Sequence, residues 1–209
     1  DENKLKRGTA EVDDAFLTEM ESWRDMLARN FALRNKNLSV RALNEIVQKT
    51  IDRIVFLRIC EDRGIETYGQ LQKKLNVSDV YSHLRQIFLR ADDKYNSGLF
   101  HFKSETGRED HDNWTLEQDV DDKVLKDIIQ RLYFPDSPYE FSVLPTEILG
   151  QVYERFLGKV IRLTPAHYAK VEEKPEVRKA GGVYYTPKYI VDYIVENTVG
   201  ELLNGGRLL

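Results

Sequence analysis

The 209-residue sequence predicts a mainly α fold: a multi-helix, bundle-like domain, then a short strand or hairpin and a final helix. Two observations carry this prediction. Apolar residues recur every three or four positions through most of the chain, the spacing that gives a helix one buried stripe. Start and stop residues, among them Ser39, Gly64, Pro135 and Pro145, fall where those stripes break. A third observation permits a core: the chain is 41% hydrophobic, with 11 Tyr and 9 Phe, which argues against wholesale disorder despite 32% charged residues.

Taken in order, residues 1–10 are polar and expected to fray. Val12, Phe16, Met20, Trp23, Leu27 and Phe31 then define a helix, with Glu19, Glu21, Arg24 and Arg29 read as its solvated face. Trp23 and Trp114 are read as core. Ser39 is the expected N-cap of a longer helix that ends near Gly64. Its apolar residues, from Val40 and Leu43 to Leu57 and Ile59, cover more than one face, so it should lie centrally and pack on several sides. It closes on Arg58, Glu61, Asp62 and Arg63. Charges stranded beside a buried run cost several kcal/mol, so an ion-pair network is expected there in preference to catalytic carboxylates.

Tyr68 to Leu75 reads as a brief helix, and Ser78 or Asp79 caps another that runs to Tyr95. Asn96-Ser97-Gly98 turns the chain, and no sustained period follows until Asp119. His101, Asp110, His111 and Asp112 lie in this stretch, but their spacing fits no metal-ligand pattern and they are read as loop residues. A helix is expected from Asp119 to Tyr133, stopped by Pro135, with an extended link from Ser137 to Phe141. Pro145 opens the next helix, with Ile148, Leu149, Val152, Tyr153, Phe156, Leu157 and Val160 in register. Thr164 to Lys179 turns polar, as a linker or a weak hairpin around Lys174-Pro175. The expected organisation is therefore a helical domain over 1–163, a linker or hairpin over 164–180, and the start of a second unit over 181–209.

Composition narrows the function. The apolar runs are too short for a membrane span or a secretory signal, and one cysteine, Cys60, excludes an internal disulfide or a multi-cysteine zinc site. A cytoplasmic setting is the expectation. The formal charge of −4 argues against a surface that clamps nucleic acid throughout, and leaves room for a local basic patch such as Arg34, Lys36 and Arg41. The chain starts at Asp1 without methionine and stops at Leu209 just after a helix pattern, so it is expected to be a piece of something longer.

The chemistry-bearing stretch is Gly181-Gly182-Val183-Tyr184-Tyr185-Thr186-Pro187, which reads as strand, tight turn and helix start. The helix that follows carries Ile190, Val191, Ile194, Val195, Val199, Leu202 and Leu203 as its apolar set. A helix N-terminus presents unpaired N–H donors and a partial positive charge, which suit a carboxylate or phosphate. A capped helix without any ligand is the other reading.

Gly182 to Pro187, followed by Ile190 and Val191, resembles motif X of the adenine-N6 DNA methyltransferases. With the Arg53 to Arg63 region and the run Leu149 to Gly158, the chain resembles the type IIG restriction-modification enzymes, with BREX-like defence methyltransferases a related possibility. The resemblance implies a connector plus the first piece of a methyltransferase in a phage-defence enzyme. It implies S-adenosylmethionine as cofactor of the intact protein, with Tyr185, Thr186 and Pro187 lining its methionine end. It also implies double-stranded DNA as a partner through other domains, adjacent nuclease and methyltransferase domains in the same polypeptide, and Mg2+ only if a nuclease is present. The family's glycine-rich loop and its Asn-Pro-Pro-Tyr motif do not occur in these residues, so no catalytic residue is assigned and the piece alone is expected to be inactive. Glu2-Asn3-Lys4 and Glu172-Glu173-Lys174 match the Glu-x-Lys of nucleases, but neither lies in a β-branched buried run, so no metal ligand is assigned either. The alternative is a free-standing helical interaction module whose Thr-Pro turn is only a cap.

Overall fold

A computed structural model describes residues 10–95, 97–103, 111–143, 156–174, 186 and 188–205. It is mainly helical. Helix α1 (Ala10–Arg34) and helix α2 (Val40–Asp62) pack side by side, joined by a tight corner. Phe16, Met20, Trp23, Leu27 and Phe31 are all buried, as the stripe requires. Ser39 caps α2: its Oγ accepts the Ala42 N–H at 3.1 Å, and the helix gives way to Gly64 at φ +70°, a conformation glycine adopts without strain. Helix α2 is central, because Leu43, Ile46, Val47, Ile51, Ile54, Val55 and Leu57 are buried on several sides.

A 3-10 turn (Gln72–Asn76) follows, where a brief helix from Tyr68 was expected. Two oxygens of Glu61 accept the Gly69 and Leu71 N–H groups, which draws that stretch onto the end of α2 and breaks a regular helix. Helix α3 (Val80–Tyr95) has its first N–H groups received by a carboxylate from elsewhere: Asp79 and Val80 donate to Asp122 at 2.9 and 2.8 Å. A short α4 (Asn113–Leu116) interrupts the stretch read as loop. Helix α5 spans Asp122–Gln130, shorter than expected at both ends. The Asp119 N–H is taken by Asn35, just past the end of α1, and the Asp121 N–H by Asn30 of α1, and the chain beyond Gln130 tightens into successive turns.

Beyond a 3-10 turn (Phe141–Val143), the described chain resumes at Phe156. Most of the helix expected after Pro145 lies outside the described residues, but its C-terminal end is corrected. Val160 belongs to a strand, β1 (Lys159–Leu163), paired antiparallel with β2 (Ala169–Glu173). This hairpin reverses at Thr164 to Tyr168, and the one expected around Lys174-Pro175 lies beyond Lys174, outside the described residues. Its register sets Ile161 opposite Val171 and Leu163 opposite Ala169. That inner face lies on the helices, β2 against α1 and β1 against α2. The side-chain amide of Asn44 bonds both the N–H and the C=O of Ile161, at 2.9 and 2.8 Å, and so covers the free edge of β1. Helix α6 (Lys188–Val195), a π turn (Glu196–Gly200) and helix α7 (Glu201–Gly205) complete the described chain.

Candidate functional site

Thr186 is exposed and stands two residues before α6. The described part of α6 begins at Lys188, and Tyr185 and Pro187 lie outside the described residues. The helix that Thr186 introduces shows an unusual surface. Tyr189, Tyr193, Ile194, Val195 and Val199 are exposed, and Leu202 and Leu203 retain 78% and 74% of their accessibility. Single exposed apolar side chains are ordinary, whereas a contiguous set marks a surface that takes a partner.

The charges that end α2 form a closed network. Glu61 accepts from Gly69 N–H (2.9 Å), Leu71 N–H (3.0 Å) and the Tyr133 hydroxyl (2.6 Å), with Arg58 3.8 Å away. Arg58 donates to the Leu132 carbonyl at 2.9 Å, pairs with Asp62, and sits over the rings of Tyr133, Tyr68 and Phe141 at 4.4, 5.1 and 5.1 Å. Burial, reinforced by Glu61, pushes the Tyr133 phenol far above its ordinary value. Both oxygens of Glu61 are engaged, so this carboxylate braces the helix end and is not free for acid–base work.

A second network was not legible in the sequence. Arg53 is fully buried and donates to the Leu99 carbonyl, the Thr115 hydroxyl and Asp112, the last at 3.1 Å. Lys49 also pairs with Asp112. Asp112 is therefore an ion-pair residue, and His101 is buried, its carbonyl accepting the Asp112 N–H at 2.8 Å. His111 is exposed, Asp110 lies outside the described residues, and no metal-holding cluster occurs among those described. Of the two Glu-x-Lys matches, the first lies outside the described residues. In the second, Glu172 is on the hairpin's outer face, 3.4 Å from Arg162.

Arg29 of the α1 face read as solvated is exposed, but part of that face docks the chain around Phe156, which corrects the reading of Arg24. Arg24 is buried, donates to the carbonyls of Phe156 (3.1 Å) and Lys159 (3.3 Å), and lies 4.8 Å from the Phe156 ring centre. Glu21 pairs with Lys159 at 2.7 Å. Trp23 is core and Trp114 is packed against it, as expected.

The chain is 37% identical over 204 residues to the type II restriction enzyme and methyltransferase RM.Eco57I of Escherichia coli, a match that takes in 98% of the chain. The chain is a relative of part of a type II restriction enzyme and methyltransferase. It spans 19% of the length of that relative. No family model and no solved structure matches it. Because the match extends over nearly all of this chain, the similarity takes in the helical part and the segment around Thr186 together. No described helix is long and apolar enough to cross a membrane.

Proposed function

We propose that this chain is a connector plus the first cofactor-site element of a type II restriction-modification enzyme that methylates adenine N6 in DNA with S-adenosylmethionine. In this reading residues 1–163 are the connector, 164–180 link it onward, and 181–209 begin the methyltransferase. The chain takes no catalytic role of its own, and turnover requires the remaining methyltransferase residues of a longer polypeptide. The observation that carries the reading is the uncovered apolar helix immediately after Thr186, in a chain related to a restriction enzyme and methyltransferase. Such a helix is the expected state of an element whose packing partner belongs to the next domain.

The residues present suit one end of the cofactor. The exposed Thr186 hydroxyl and the donor end of α6 fit a carboxylate, which is the methionine end of S-adenosylmethionine. Tyr185 and Pro187 are proposed to flank it. The bound cofactor supplies the methyl group, while this chain's part is to bind and orient. Any Mg2+ requirement is assigned to a nuclease domain, if the polypeptide carries one. Phage defence and a cytoplasmic location follow from the same reading.

The test is a titration of S-adenosylmethionine into the chain extended through its methyltransferase core, with and without Thr186→Ala. Loss of a hydrogen bond to a charged group costs ~1.5–3 kcal/mol, so affinity should fall roughly ten-fold or more. Equal affinity would remove Thr186 from the site. Methyl transfer from labelled cofactor by the 209-residue chain would refute its inactivity.

A further inference from the structure

We propose that the outer face of the β1–β2 hairpin and the adjoining α1–α2 corner form a surface for the phosphate backbone of duplex DNA, carried by Lys36, Arg41, Lys170 and Lys174. This rests on the reading that the intact protein acts on DNA, and goes beyond it by giving this chain its own contact.

The fold assembles residues that are far apart in sequence. His167 Nε2 lies 3.2 Å from the Asn35 carbonyl oxygen, and the Lys36 ammonium lies 5.9 Å from the ring centre of the exposed Tyr168. These contacts set the α1–α2 corner against the hairpin turn. Arg41 and Lys174 line the adjoining groove of about 680 Å³, together with Val40, Phe156 and Val160. Ile161 and Ala169 point inward and are buried, so the alternation of the strands turns Arg162, Lys170 and Tyr168 outward. Arg162 stands directly opposite Lys170. Like charges in that position destabilise a hairpin, and only Arg162 is relieved, by Glu172 at 3.4 Å.

Lys36, Arg41, Lys170 and Lys174 have no carboxylate partner among the described residues, on a chain whose formal charge is −4. Arg34, which the sequence grouped with Lys36 and Arg41, is committed to Asp121 at 2.6 Å and drops out. Unpaired cations clustered on a net-acidic protein are the footprint of a polyanion site. Lys170 and Lys174 are four positions apart on the same side of the chain, ~13 Å or about two phosphate spacings along a nucleic-acid strand, with Glu172, which pairs with Arg162, between them.

The test is fluorescence anisotropy of the 209-residue chain with a labelled duplex across a series of KCl concentrations. Four phosphates neutralised give a slope of log K against log salt near −3.6, at about −0.9 each. The combined variant Lys36→Gln, Arg41→Gln and Lys170→Gln should flatten that slope by about 2.7 and weaken binding at low salt by more than about tenfold. All three side chains are exposed, so the melting temperature should not fall, and Lys73→Gln, on the turn after α2, should leave binding unchanged. Duplex binding with an unaltered slope in the triple variant overturns this surface and leaves the DNA reading standing. No duplex binding by the unaltered chain at low salt, or tighter binding to phosphatidylserine vesicles, also overturns it. Neither result touches the cofactor role of Thr186, which is read by a separate titration.

Discussion

Arg53→Met is the sharpest probe of what holds the helical part together. The substitution keeps length and removes a buried guanidinium that makes three hydrogen bonds and lies 4.7 and 5.7 Å from the ring centres of Phe102 and Phe88. Burial draws the Arg53 pKa down from its ordinary value, with Asp112 foremost in opposing the shift. Removing one partner of a buried pair costs ~3–5 kcal/mol, because the other is left uncompensated. Lys49 still reaches Asp112, so the loss should lie near the lower limit, about 3 kcal/mol. For a chain of this size each kcal/mol lowers Tm by ~2–4 °C, so circular-dichroism melting should show a fall of roughly 6–12 °C. Asp112→Leu should cost a comparable amount. The double variant should fall short of the sum by ~1–3 kcal/mol, the coupling expected of residues in one network. A Tm change below about 2 °C, or strict additivity, would refute the role assigned to the pair.

Two further outcomes follow from the docking of the hairpin and from the α1–α5 contact. Asn44→Ala removes both bonds to Ile161 and reopens the edge of β1, so the Ile161 amide should exchange with solvent markedly faster while amides of α2 keep their protection. Equal protection of Ile161 would mean that Asn44 does not hold the strand. The Asp121 carboxyl is held below its ordinary value by Arg34 first and Asn30 second. A depressed folded pKa contributes stability above the unfolded value, and that stability is lost as pH falls through the folded one. Below about pH 4, Tm should therefore drop more steeply in the natural chain than in Asp121→Asn, and parallel pH profiles would contradict the assignment.

Periodic burial was legible in the sequence, and long-range polar pairing was not. The α1 stripe from Phe16 to Phe31, the Ser39 cap and the central position of α2 all follow from local spacing, and the structure has each of them. Arg24 looked like a solvated charge because nothing near it in sequence shows that the carbonyls of Phe156 and Lys159 come to rest on it. Asp112 looked like a loop residue for the same reason, since Lys49 and Arg53 are about sixty positions away. Val160 fell into the preceding helical register by coincidence. A five-residue run such as Lys159–Leu163 fits either period, and the contacts of Ile161 with Asn44 and Val171 decide for a strand. At the candidate site the sequence showed a helix after Thr186, but not that its apolar face would stand uncovered.

That uncovered face bears on how the candidate cofactor site would work. Burying a large apolar side chain contributes ~1.5–3 kcal/mol, so covering Tyr189, Ile194, Leu202 and Leu203 alone would be worth about 6–12 kcal/mol gross. That is of the order of a domain's whole stability margin. The helical part already satisfies its buried charges Arg24, Arg53, Arg58 and Glu61 internally, whereas the α6–α7 segment gains most of its stability only when something covers it. Thr186 and the first N–H groups of α6 are held only as firmly as that helix. Cofactor affinity and the covering of α6 should therefore be linked: whatever packs on Tyr189, Ile194 and Leu202 orders the donors, and a carboxylate bound at the donors stabilises the packed helix by the same amount.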